Sequence, residues 1–282
     1  MTLLLTEKAQ TARIFSYGGG VQSNAVLALQ AQGKLRNPYD VFVFANVGED
    51  SENPATLEYI EEYAKPFAAR HGIELIEVQA TYQGKPDTIL SRIKRTKASI
   101  GIPAYQGSGG PMPRSCTVDF KIRVLRKYMA ELGARWIVSA QGISTDEYFR
   151  ARSQEWHHKQ GKEVLPFWER FEYPLIDLRI NRMKCHDILR DSEMPIAPKS
   201  SCYFCPYTSN SEWIEMKRDN PELFEKAAQV EDILNEKHQR IGINVPLTLH
   251  RSKTPLRGAV GDQLPMFPDW EMDMCESGYC MT

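Results

Sequence analysis

Ala12-Arg13-Ile14-Phe15-Ser16-Tyr17-Gly18-Gly19-Gly20-Val21-Gln22-Ser23 is the stretch on which the reading of this chain turns. Its first five residues predict a short strand, and Ser23 to Gln32 predicts a helix closed by Gly33. Consecutive glycines between strand and helix let the backbone take positive φ and bring its N–H groups close to an anion. The helix adds unsatisfied N–H donors and the positive end of its dipole, and the hydroxyls of Ser16 and Ser23 can donate to phosphate oxygens. No Gly-Lys-Ser/Thr ends the turn, which excludes a Walker A loop, and the glycine spacing is not that of the dinucleotide fingerprint. The alternative is a tight turn with no ligand. Glycines ahead of a helix cost backbone entropy, which weighs against it.

Outward from the turn, strand and helix signals alternate. Val41-Phe42-Val43-Phe44-Ala45 is a continuous apolar run, as in a strand buried on both faces. Asn53-Pro54 opens a helix running towards Gly72, which Pro66 should kink or split. Ile73 to Val78 predicts a third strand, Asp119 to Leu132 a helix, and Trp136 to Ala140 a fourth strand. The order implies an α/β fold with a doubly wound, mainly parallel sheet. In such sheets ligands sit at the carboxyl ends of strands, where the glycine turn and the Asn46–Glu52 loop both fall. After Leu178 the character changes to helices over Ile180–Arg190 and Asn220–Arg240, with a cysteine pair between them. The expected division is therefore 1–178, a nucleotide-binding α/β domain, and 179–282, a helical cysteine-bearing region with an extended tail.

Composition sets the outer bounds. Of 282 residues 42% are hydrophobic, enough for a well-buried core, and a formal net charge of −1 gives no global signature of a nucleic-acid binder. No apolar run approaches the roughly 18 residues of a membrane helix. Met1 to Glu7 is too short and too soon acidic for a signal peptide, so a cytoplasmic location is expected, with thiols rather than disulfides for the six cysteines.

Ser16 to Ser23 resembles the PP-loop of the ATP pyrophosphatases, the adenine-nucleotide α-hydrolase superfamily, usually written S-G-G-x-D-S. Gly18 stands at the place of the first serine and Gln22 at that of the aspartate, an acidic group that helps hold magnesium; glutamine there is similar to the phosphoadenylyl-sulfate reductase branch. Further segments follow in register. Phe44 to Glu52 resembles the strand and loop where backbone and an aromatic receive adenine. Trp136 to Gly142, followed by Asp146, Glu147 and Arg150, resembles the segment that completes the nucleotide site. Tyr173-Pro174-Leu175-Ile176 is similar to the family's short Pro-Leu strand. Arg114-Ser115-Cys116-Thr117 and Ser201-Cys202-Tyr203-Phe204-Cys205-Pro206 resemble its two cysteine segments, and the likeness spans residues 12 to 210. It implies nucleotide contacts from Ser16, Tyr17, Gly18, Gly19, Gly20, Gln22, Ser23, Phe44, Asn46, Gly48, Gly142 and Arg150, with ATP and Mg²⁺ as cofactors.

Between Lys85 and Arg135 basic residues outnumber acidic ones, as a polyanion site or simply a solvated face would have them. Gly101 to Pro113 in that stretch is Gly/Pro/Ser-rich, as in a mobile flap. Cys202-x-x-Cys205 has the spacing of a metal or iron–sulfur half-site; a redox pair or two buried thiols are the other readings. The resemblance adds Cys116 and implies a 4Fe–4S cluster, with zinc as the alternative. The fourth ligand is then Cys185, Cys275 or Cys280, or else one iron stays open to bind sulfide. Cys280 near the terminus is a weaker candidate for the tail nucleophile of the reductases, whose Glu-Cys-Gly-Leu-His string is missing. His157 and His158 lie in a polar stretch and are expected to be exposed.

The resemblance implies an enzyme that adenylates an acceptor with release of pyrophosphate and transfers sulfur, with Cys116, Lys121 and Arg123 in catalytic roles. Its partners are then an adenine nucleotide, a sulfur donor and an acceptor that includes nucleobases or nucleic acid among the options. A sulfonucleotide reductase and a non-catalytic nucleotide- or nucleic-acid-binding module are the alternatives.

Overall fold

The computed structural model describes residues 11–98, 100–107, 109–160 and 163–261. Six strands form the central sheet: β1 (Thr11–Tyr17), β2 (Val41–Asn46), β3 (Leu75–Gln79), β4 (Trp136–Gln141), β5 (His157–Gln160) and β6 (Glu163–Glu172). Their order is β3-β2-β1-β4-β6-β5, parallel throughout except for the β5–β6 hairpin. Every residue of β2 is buried, as its unbroken apolar run requires.

Alternation along the strands divides the core between two faces. Phe15, Tyr17, Phe42 and Phe44 pack with helix α1 (Val21–Ala31) and with residues 59–68 of α2, a helix running from Pro54–Tyr59 to Lys65–Arg70. Ile188 and Leu189 of α4 (Arg182–Asp191) join the same cluster. Ala12, Ile14, Val41 and Val43 face the other way, against Leu125 and Met129 of α3 (Arg123–Glu131). Helices thus cover both faces and the sheet is doubly wound. Within α2 a π-turn spans Ile60–Ala64, immediately ahead of Pro66, whose missing N–H cannot complete the regular ladder.

Two compact units are each assembled from separate stretches of the chain. One compact unit holds the described residues of Met1–Asn46, Pro54–Gln79 and Ile122–Ser200, so α4 belongs with the sheet. The other holds those of Val47–Asn53, Ala80–Lys121 and Ser201–Thr282. Two expectations need correction. Pro174–Asp177 is a helical turn, not a strand. The strand of that region is β6, ending at Glu172, and the sequence reading passed over it together with β5. His157 and His158 in that hairpin are half-buried; His158 packs on Trp168 at 4.3 Å between ring centroids.

In the second unit, helices span Ile89–Arg95, Asn210–Asp219 and Pro221–Arg240. The last begins where expected, at the proline after Asn220, whose side chain accepts from the Leu223 N–H. Tyr105–Gln106 pairs with Leu247–Thr248, and Met112 N–H donates to the Ala104 carbonyl, so the Gly101–Pro113 segment is held at these points. No helix among the described residues is long and apolar enough to cross a membrane.

Candidate nucleotide and thiol sites

The sheet reverses its winding between β1 and β4, and β1 runs directly into the glycine turn at that point. Crevices at such switch points, outside the carboxyl ends of the strands, are where open α/β sheets bind ligands. Gly19 alone of the three turn glycines has positive φ, +80°. A Cβ there would lie 3.0 Å from Thr56 Cγ2 and 3.1 Å from Ile60 Cδ1, so conformation and packing both demand glycine. Gly18 N–H donates to Ser23 Oγ at 2.9 Å, which closes the turn on the first helical turn of α1.

Asn24, which the sequence reading missed, organises the turn. Its side-chain amide donates to the Gly19 and Gly20 carbonyls at 3.1 and 3.0 Å, and its Oδ1 accepts from the buried Tyr17 hydroxyl at 2.6 Å. Both carbonyls are thereby satisfied within the turn. Val21, Gln22 and Ser23 head α1 and have no helical carbonyl to bind. The arrangement suits an anion by geometry and by dipole. Only an asparagine one residue beyond the familiar string marked it.

The loop after β4 completes this side. Gly142 lies so close that a Cβ would sit 3.4 Å from Gln22 C and Ser23 N. Gln22 Nε2 donates to Glu147 Oε2 at 3.4 Å, and Arg150 Nη1 donates to the same oxygen at 2.7 Å. Burial pushes the Glu147 carboxyl up, with Arg150 opposing it. Glu147 Oε1 is buried and has no hydrogen-bond partner. A buried carboxylate oxygen without a partner is costly, so this donor atom fits a hard cation such as Mg²⁺, which takes oxygen ligands.

The remaining expected contacts are distributed over β1, β2 and the loop after β2. Ser16 is buried at the end of β1, and Tyr17 and Phe44 meet edge to face in the core, 6.4 Å between ring centroids. Asn46 is buried and donates to Glu77 Oε1. Gly48 belongs to the second unit, at φ +112°, where a Cβ would come within 2.4 Å of the Thr88 side chain.

The second unit gathers Cys116, Cys202 and Cys205. Glu52 forms an antiparallel bridge with Cys202, Asn53 N–H donates to the Ser201 carbonyl, and Tyr203 N–H donates to the Ser51 carbonyl. Cys205 N–H closes a turn on the Cys202 carbonyl, and Cys116 N–H binds the Gly101 carbonyl. Arg114 lies over the Tyr207 ring at 5.7 Å, joining the segments that carry Cys116 and Cys205. Cys202 is within electrostatic reach of Glu52, Lys121, Cys205 and Cys116; burial first, then the Glu52 charge, raise its thiol pKa well above the ordinary value, with Lys121 opposing. Among the described residues no group of three or more His, Cys, Asp or Glu side chains stands ready to hold a metal ion. As donors, three soft sulfurs suit an iron–sulfur cluster or zinc.

Arg123 heads α3 in the sheet unit, whereas Lys121 lies beside Cys202 in the second. Cys185 is buried in the core of the sheet unit, its thiol pKa pushed up to about 12, chiefly by burial. Cys275 and Cys280 lie outside the described residues. Three arginines of the basic stretch are engaged by acids: Arg92 and Arg95 hold Asp87, Arg92 also holds Asp119, and Arg126 holds Glu169.

No protein-family model matches the chain, and no curated protein does. Among solved structures, the U34-tRNA thiolase NcsA from Methanococcus maripaludis, with its 4Fe–4S cluster, is similar over 86% of this chain and 74% of its own. The identity is 14% and the TM-score 0.40.

Proposed function

We propose that the chain is an enzyme of the PP-loop type that binds ATP on the Gly18–Ser23 turn, adenylates an acceptor and passes sulfur to it. The observation that carries the reading is the turn itself. It lies at the switch point of a doubly wound sheet, and the Asn24 amide binds its Gly19 and Gly20 carbonyls.

The first-turn N–H groups of α1 bind phosphate oxygens and fix the α-phosphorus, with the Ser23 hydroxyl as a further donor. An acceptor oxygen attacks that phosphorus, the bond to the bridging oxygen breaks, and pyrophosphate leaves with the electron pair. Because the donors are fixed beforehand, charge building on the phosphoryl oxygens meets dipoles that need no reorganisation. Mg²⁺, when bound, supplies charge neutralisation across the phosphates, and Glu147 is the residue that would hold it. A sulfur nucleophile then forms a C–S bond at the activated carbon while the C–O bond breaks and AMP departs.

We assign the sulfur-handling role to Cys116, Cys202 and Cys205. These three would hold an iron–sulfur cluster, which supplies a soft site for sulfide. Lys121 beside Cys202 offsets the negative charge that ionised thiolates bring. Nucleobases and nucleic acid are the acceptor class to try first, as carriers of amide-like oxygens open to adenylation.

The test is pyrophosphate and AMP release by the full chain, prepared anaerobically, with ATP, sulfide and an RNA or nucleobase acceptor. Stoichiometric release is expected. ATP binding without cleavage at the α-phosphate would reject the reading, and thioredoxin-dependent sulfite release from adenylyl sulfate would replace it with the reductase.

A further inference from the structure

Glu147 carries one more inference, which rests on the nucleotide reading above. Its side chain is 7% exposed and lies against the glycine turn through Gln22. The neighbouring acid, Asp146, is already engaged: its Oδ2 accepts from the Arg182 N–H at the start of α4, 2.6 Å away. Glu147 is different. One oxygen takes both Gln22 and Arg150, and the other is buried without a partner.

A carboxylate beside a phosphate site presents a charge conflict. With phosphate on the Val21–Ser23 N–H groups, Glu147 brings a carboxylate to the same turn whose Oε2 is paired by Arg150 and whose Oε1 faces no donor. An unpaired carboxylate oxygen and a phosphate repel when both are held close in a medium of low dielectric constant. A divalent cation between them turns the repulsion into attraction on both sides, and oxygen is the donor such a cation prefers. Gln22 contributes by orientation. An ionised carboxylate only accepts, so the amide NH₂ must face Glu147. The side chain thereby steadies the carboxylate without adding charge.

We propose that Glu147 is the carboxylate that binds the divalent cation of the nucleotide, supplied by the loop after β4 because the turn carries Gln22 in place of an acid, with Gln22 as its positioning residue.

Binding of a non-hydrolysable ATP analogue to the full chain, by calorimetry with and without Mg²⁺, tests this. In the wild type Mg²⁺ should tighten binding. In Glu147→Gln, which keeps the size and an oxygen for Arg150, the Mg²⁺-dependent gain should fall at least tenfold while metal-free affinity holds or improves. The double variant Glu147→Gln with Gln22→Asp should recover the gain, because the carboxylate returns on the turn itself. A gain that Glu147→Gln leaves unchanged overturns the proposal and leaves nucleotide binding standing. If the wild type binds no analogue in either condition, the nucleotide reading falls and this proposal with it. Should Glu147→Gln fail to fold, Gln22→Ala in the otherwise unaltered chain serves: without its positioning amide the Mg²⁺-dependent gain should fall, and an undiminished gain overturns the proposal.

Discussion

Gly19 and Gly20 are adjacent, yet the structure asks different things of them. At Gly19 the φ of +80° and the contacts to Thr56 and Ile60 leave no place for a methyl group. Gly20 has φ −86°, and a Cβ would meet Ser200 at an ordinary 3.8 Å. Gly19→Ala should cost about 1–2 kcal/mol from backbone strain alone, more once Thr56 and Ile60 must shift, and should weaken ATP-analogue binding. Gly20→Ala should stay within about 0.5 kcal/mol of wild type. Urea denaturation and the nucleotide titration check both, and equal effects at the two positions would contradict the account. Asn24 extends the argument. Asn24→Leu fills similar volume but abandons two glycine carbonyls and the Tyr17 hydroxyl, so a loss of about 1–3 kcal/mol is expected, with weaker nucleotide binding.

Among the elements, the short helix Ile89–Arg95 shows why a run of basic residues is a poor guide to ligands. Burial alone would raise the Asp87 pKa, but hydrogen bonds from Arg95, Arg92 and Ser91 prevail and bring it from 3.8 down to about 2. A depressed carboxylate stabilises the fold above its unfolded pKa, and that stability is lost as pH falls through the folded value. Stability should therefore drop between about pH 4 and pH 2 by about 1–2 kcal/mol on this account, after discounting for the exposed ends of the arginines. Asp87→Asn should flatten that part of the acid-denaturation curve; an unchanged profile would show that the clamp contributes nothing. The same scale explains what the sequence showed and what it hid. β1, β2 and β4 were legible because their apolar runs are buried by helices on both faces. The β5–β6 hairpin was not, because its residues are sorted by partners distant in sequence: Trp168 stacks on Trp136, and Glu169 is buried against Arg126. The turn at Ser16–Ser23 was legible as local chemistry, whereas Asn24 and Glu147 acquire meaning only once the backbone folds over them.

For the whole molecule, the sequence order of the parts is not their order in space. Glu52, Cys116 with Lys121, and Cys202 with Cys205 come from three stretches, and all belong to the second unit. Cys185 is equally a free thiol, but it lies in the core of the sheet unit among Ile188 and Leu189. A cluster bound by the second unit must therefore respond to the first three and ignore the fourth. Anaerobic preparation with iron and sulfide should give a chain containing both, with broad visible absorption that Cys116→Ser, Cys202→Ser and Cys205→Ser each abolish or greatly reduce. Cys185→Ala should leave iron, sulfide and spectrum unchanged while lowering stability by about 1 kcal/mol, the cost of a small core cavity. Recovery of zinc in place of iron would keep the thiol site and replace the cluster. Loss of iron in Cys185→Ala at unchanged stability would place a ligand where the fold puts a packed core, and would overturn the assignment of the three cysteines as the site.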